Sequence, residues 1–198
     1  MIEGEKREKT AEQEVQEKMN KSTRWIPTLI WGILLTGWLA LLFMFSSQTY
    51  EQQSIQPFLR SHFNYDQLVR WLPDMTITYR ASVINSHDRP YSFIEFLFRK
   101  GAHLFVYATF AAMLFMFLRA LTRGRWFISI VLTLLVAVAV PALDEWNQLG
   151  SDERTGNATD VVLDFAGGCA GLLVCLCILG VVKLWRSRTR SRSRNRHY

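Results

Sequence analysis

Cysteine is nearly missing from this chain, and where it occurs it cannot do what cysteine usually does. All three, Cys169, Cys175 and Cys177, fall inside one apolar stretch. Neighbours on one helix cannot bridge each other and no cysteine stands elsewhere, so a disulfide framework and a thiol metal site are both excluded. They read as small apolar filler. Histidine is scarce as well, with four in 198 residues, and no metal-ligand spacing is present. There is no glycine-rich phosphate loop and no internal repeat. No A-x-A-like site follows the first apolar run, which is also about twice too long for the core of a signal peptide, so that run reads as a retained anchor.

What the chain does have is long hydrophobic runs. Four of them, at residues 25–45, 101–118, 126–143 and 161–185, reach or approach the roughly 18–20 residues needed to cross a bilayer. A compact soluble fold cannot hide four such blocks in 198 residues. The expected fold is therefore an all-α integral membrane protein, a four-helix transmembrane bundle. The charged arm before it spans residues 1–24, the membrane domain 25–185, and a polybasic tail 186–198.

The formal net charge of +6 would suit nucleic acid, but its placement argues for a membrane. Lys and Arg number six in the N-terminal arm, three in "RALTRGR" and seven from Lys183 onward, against Arg154 alone in the third connection. This bias puts both termini in the cytoplasm and the loops at 49–98 and after residue 143 outside. Beside a membrane end, the Arg/Ser tail fits anionic lipid headgroups and no nucleic-acid partner. Arg99 and Lys100 break the rule, because they fall on the outer side directly against the second crossing. Nothing in the sequence sets an oligomeric state.

Residues 49–98 form an extracytoplasmic loop. "YEQQSIQPFLRSHF" and "YDQLVRWLP" have short helical apolar spacing, and "MTITYRASVIN" alternates, with Met75, Ile77 and Tyr79 on one side, which suggests a small β-hairpin. A helix restarts near Ser92 and runs into the membrane.

Polar residues then fall at one depth on all four crossings. The first leaves at Ser46, Ser47 and Gln48. The second enters with Arg99, Lys100, His103 and Tyr107 at helical spacing. The third ends at Asp144, Glu145 and Gln148, and the fourth enters with Asp160 and Asp164. Charges inside a bilayer are costly, so these groups should turn inward and pair: Arg99, Lys100, Arg154 and His103 against Asp144, Glu145, Asp160 and Asp164. Gly167 and Gly171 form a G-x-x-x-G pattern that lets another helix approach closely. Tyr107 reads as an interfacial or core aromatic.

"FSSQTYEQQ", "FRKGAHLFVYATFAAMLF" and "DEWNQLGSDERTGNATDVVLDFAGGCAG", in this order, resemble the VanZ-like family of bacterial membrane proteins. The likeness covers roughly residues 25–184. It marks Lys100, His103, Asp144, Glu145, Gln148, Arg154, Gly156 and Asp160 as signature positions. It implies a bacterial cytoplasmic membrane and, in some members, low-level resistance to glycopeptide antibiotics such as teicoplanin. Two departures stand out: Asp164 where the family more often has Asn, and "SDER" where Pro-Gly often precedes the Arg.

Three functions fit these residues. In the first, an enzyme-like site acts on a lipid-linked or cell-envelope substrate. His103 is the proton shuttle, and Asp144 and Glu145 are its acid/base or orienting partners. Arg99, Lys100 and Arg154 bind phosphate or carboxylate, with Gln148, Asp160, Ser47 and Gln48 around them. No cofactor is expected. Mg²⁺ or Mn²⁺ would suit one histidine among carboxylates better than zinc, but no ligand spacing supports either. In the second, the same residues bind an anionic lipid or an envelope precursor without chemistry. In the third, they form an interhelical salt-bridge network. A transporter fits less well, because the charges sit at one end rather than at the midplane.

Overall fold

The computed structural model describes residues 25–49, 51–79, 82–148 and 158–194. The expectations for residues 1–24, for Arg154 and Gly156, and for the tip of the C-terminal tail lie outside the described residues, as do the side chains of Ser46, Asp144, Glu145 and Gln148. The elements run α1 (Trp25–Ser46), α2 (Gln56–His62), α3 (Tyr65–Trp71), β1 (Thr76–Tyr79), β2 (Ser82–Asn85), α4 (Pro90–Leu121), α5 (Trp126–Gln148) and α6 (Ala158–Arg194). Helices α1, α4, α5 and α6 are each long and apolar enough to span a bilayer.

Their surfaces agree with that solvent. Ile33 on α1, Phe105 on α4, Phe127 on α5 and Val181 on α6 are 72%, 65%, 79% and 65% exposed. In water this would be an aggregating surface, whereas in lipid it costs nothing. The chain is an all-α multi-pass membrane bundle with one two-stranded sheet.

Helix α4 is the centre of the bundle. Against α1 it packs Tyr107, Phe110 and Leu114 around Leu35, and the Trp38 indole N–H donates to the Val106 carbonyl at 3.2 Å. Against α6 the approach is backbone to backbone. A Cβ on Gly167 would stand 2.6 Å from the Leu104 carbonyl oxygen, and one on Gly171 would run into the Ala108 backbone. The G-x-x-x-G pattern thus serves the α4–α6 seam. On its other side, Gly168 meets Ala137 of α5 and Ala111 of α4. Since residues 104 and 108 meet 167 and 171, α4 and α6 run parallel and in register.

The turn between α4 and α5 is short because Arg123 and Gly124 both take positive φ, 57° and 81°, and the Gly124 N–H caps the Arg119 carbonyl at 2.8 Å. Glycine carries that conformation without a Cβ penalty. Pro141 lies inside α5 without ending it, as proline does where neighbouring helices shield the backbone.

Helix α4 has 32 residues, about 48 Å at 1.5 Å per residue, against roughly 30 Å of hydrocarbon. It starts at Pro90, a residue suited to a first helical position. Its surplus first turns carry the loop elements. Leu59 of α2 and Leu68 of α3 are buried there. The buried Glu95 carboxylate accepts from the Ile55 N–H at 3.3 Å and the Gln56 amide at 2.6 Å. The Tyr91 hydroxyl donates to the Phe63 carbonyl at 2.9 Å. Strands β1 and β2 pair antiparallel, Thr76 opposite Asn85 and Tyr79 opposite Ser82. Helix α6 is also longer than its expected crossing, continuing as helix to Arg194.

Candidate functional site

Parallel register between α4 and α6 has a chemical result at the end of the bundle that carries the hairpin. Lys100 and His103 lie three residues apart on α4, and Asp160 and Asp164 lie four apart on α6, so each pair shares a helix face. The glycine seam below presses those faces together. Lys100 Nζ donates to Asp160 Oδ1 at 2.5 Å, with both side chains 18% exposed. His103 Nδ1 lies 3.2 Å from Asp164 Oδ1, with the Asp164 side chain 5% exposed and the imidazole 44%. Asp160 sits in the first turn of α6, where the N-terminal end of the helix dipole favours a carboxylate.

A third group comes from the loop. The Tyr79 hydroxyl, at the end of β1, accepts from Lys100 Nζ at 2.9 Å and donates to Asp160 Oδ1. Its ring lies 4.2 Å beneath the Lys100 ammonium and meets Phe96 edge-on at 5.2 Å. Burial, the strongest influence, raises the pKa of Tyr79. The hydrogen bond to Asp160 and that carboxylate's charge add to the rise, and Lys100 opposes it. Tyr79 is thus a phenol, and a donor, at neutral pH.

The remaining sequence candidates fall as follows. Arg99 is half-buried, one residue before Lys100. The Ser47 hydroxyl turns back to the Met44 carbonyl at 2.8 Å, which is local capping. Gln48 is half-buried at the end of α1. Tyr107 is buried in the α1–α4 core. Asp144, Glu145 and Gln148 lie on the last turns of α5, and Arg154 lies outside the described residues. Of the acids that the sequence set against His103, the structure brings Asp164 to Nδ1, while the side chains of Asp144 and Glu145 lie outside the described residues.

With Asp164 at Nδ1, a neutral His103 donates that N–H to the carboxylate and keeps Nε2 as its basic nitrogen. Among the described residues no three His, Cys, Asp or Glu side chains gather as a metal site. An apolar groove of about 390 Å³ runs between Val131, Val138 and Phe165, with no ionisable residue in its lining, and is separate from this cluster.

Sequence reasoning missed two residues. Tyr79 carried a signal, since alternation put it on one face with Ile77, and both are half-buried while Thr76 and Thr78 are exposed. Glu95 carried a weaker one, as a lone carboxylate on an apolar helix approaching the membrane.

The polar pairs from two crossings, the tyrosine above them and the glycine seam beneath all lie in one continuous stretch of chain. The model of the VanZ/LLP1 family matches residues 31–180. The chain belongs to the VanZ-like family. The match reaches from α1 through most of α6, so the Lys100–Asp160 and His103–Asp164 pairs lie within the matched region. No curated protein and no solved structure matches the chain at a significant level.

Proposed function

We propose that this VanZ-like protein binds or modifies an anionic lipid-linked or cell-envelope substrate at the Lys100–Asp160 and His103–Asp164 cluster. The observation that carries the reading is convergence. Ionisable groups from two separate crossings meet at one end of the bundle, half-shielded, with the His103 ring still partly open. Intramembrane ionisable groups that pair across helices mark functional sites more often than other intramembrane positions do.

The roles follow from the chemistry. His103, held at Nδ1 by Asp164, offers Nε2 as a proton acceptor. Arg99 and Arg154 supply positive charge for phosphate or carboxylate beside the Lys100–Asp160 pair. Asp144, Glu145 and Gln148 add acids and an amide from α5. The family likeness supports a bacterial cytoplasmic membrane, and the distribution of Lys and Arg supports both termini inside and the cluster outside. The arm at 1–24 and the tail at 186–198 are then cytoplasmic, with the tail on anionic headgroups. An altered envelope precursor at this site would connect the protein to teicoplanin-type resistance.

The test is mass spectrometry of envelope lipids and wall precursors in cells carrying wild type, His103→Ala or no protein, alongside membrane abundance and teicoplanin susceptibility. A changed inventory that His103→Ala abolishes at normal abundance supports chemistry at the site. An unchanged inventory rejects an enzyme. A second reading has its own support: Lys100 and Asp160 satisfy each other at 2.5 Å, as an interhelical lock would. In that case His103→Ala and Lys100→Ala lower abundance and melting temperature with no other phenotype.

A further inference from the structure

Beside the directly paired Lys100 and Asp160 the structure places an oxygen that touches both, and it belongs to the loop. The Tyr79 hydroxyl accepts a hydrogen bond from the ammonium and donates one to the carboxylate. Any oxygen at that position must do both. A phosphate or carboxylate oxygen accepts from Lys100 but has no proton to give, and it would face the negative charge of Asp160. A water or an alcohol meets both demands.

We propose that the Tyr79 hydroxyl holds the place of a ligand alcohol, so that the Lys100–Asp160 pair recognises a hydroxyl group and the β1–β2 hairpin is the lid that yields to it. The proposal rests on the reading that this cluster is a substrate site, and it names what the pair reads: a polyol or sugar hydroxyl, with a neighbouring phosphate left to the arginines. Three further observations point the same way. The pair is already charge-balanced, with 2.5 Å between Lys100 Nζ and Asp160 Oδ1, so a neutral group suits it better than a second anion. The lid is light, a two-stranded ladder of four residues each, and such ribbons are marginal on their own. Among the described residues its hold on the pair is the Tyr79 side chain, which the ligand would replace, seated on Lys100 and Phe96.

Lys100 reports on its own cover, because it is the only lysine between Lys21 and Lys183. The full-length protein, wild type and Tyr79→Phe, is placed in phosphatidylcholine nanodiscs and treated with a water-soluble acetylating ester, and acetylation of Lys100 is followed by peptide mass spectrometry. Phenylalanine keeps the ring in place and removes only the hydroxyl. Lys100 in Tyr79→Phe should react about fivefold faster than in wild type, the ratio expected from one lost hydrogen bond.

Phosphatidylglycerol and phosphatidylethanol are then compared as dopants. They carry the same charge, and only the first has alcohol groups. Phosphatidylglycerol should slow the reaction of the variant, and phosphatidylethanol should not. Soluble glycerol phosphate with undoped discs separates the sources: protection there assigns the hydroxyl to a soluble ligand, and protection by the lipid alone assigns it to a headgroup. An unchanged Lys100 rate in Tyr79→Phe overturns the lid. Equal protection by the two lipids overturns hydroxyl recognition and leaves an anion site. No protection by either lipid or by glycerol phosphate removes this proposal and the substrate-site reading together.

Discussion

Lys100 and Asp160 are sixty residues apart in the chain and 2.5 Å apart in space. Two transmembrane helices are joined there by an ion pair with little access to water. Removing one partner leaves the other charge half-buried, and removing both does not. Lys100→Ala should therefore lower stability by about 1.5–3 kcal/mol, and Lys100→Ala with Asp160→Asn by less than Lys100→Ala alone. Thermal melting in detergent measures both. A double variant that melts lower than Lys100→Ala would contradict the pairing.

Gly171 is the tightest point of the α4–α6 seam, where an added Cβ meets the Ala108 backbone. Gly171→Ala must force the helices apart and should cost about 1–3 kcal/mol or more, with loss of abundance in the membrane. Gly180→Ala is the control, since nothing lies within 4 Å of its Cβ position. It should melt like wild type.

The Tyr79 phenol should ionise above the ordinary tyrosine value of 10.0, because burial and Asp160 both disfavour the phenolate. The sign for stability follows. A group whose pKa rises on folding contributes fully below its unfolded value, and that contribution is lost as pH rises through the folded value. Tyr79 should therefore secure the hairpin undiminished at neutral pH and release it only in strong alkali. Ultraviolet titration of wild type minus Tyr79→Phe isolates this phenol. A midpoint at or below 10.0 would refute the environment described.

Glu95 ties α2 to α4 through the Ile55 N–H and the Gln56 amide. Glu95→Ala should leave those donors unsatisfied at about 1–3 kcal/mol and loosen the loop while the bundle stands. Limited proteolysis checks this, with cleavage expected between residues 49 and 89 and none in α5 or α6.

Much of this was legible in the sequence, and the reasons differ by element. The four crossings were readable because a bilayer demands length and apolarity from every spanning segment, as in the 25–45 and 126–143 runs. The hairpin was readable from the alternation at Ile77 and Tyr79. The partner of His103 was not. Helical spacing shows that Asp160 and Asp164 share a face, but only packing shows that Asp164 meets His103 while Asp160 meets Lys100. The Tyr79–Asp160 contact spans 81 residues, and no local pattern encodes such a meeting. Helix α6 continues beyond the fourth apolar run to Arg194, because arginine propagates a helix well and no glycine or proline interrupts that stretch.

The seam at Gly167 and Gly171 also limits how the molecule can work. Two backbones in direct contact have no slack, so α4 and α6 cannot slide or rock past each other without breaking the joint. The paired helices are in that sense a fixed anvil, and any adjustment at the polar end has to come from elements outside the joint.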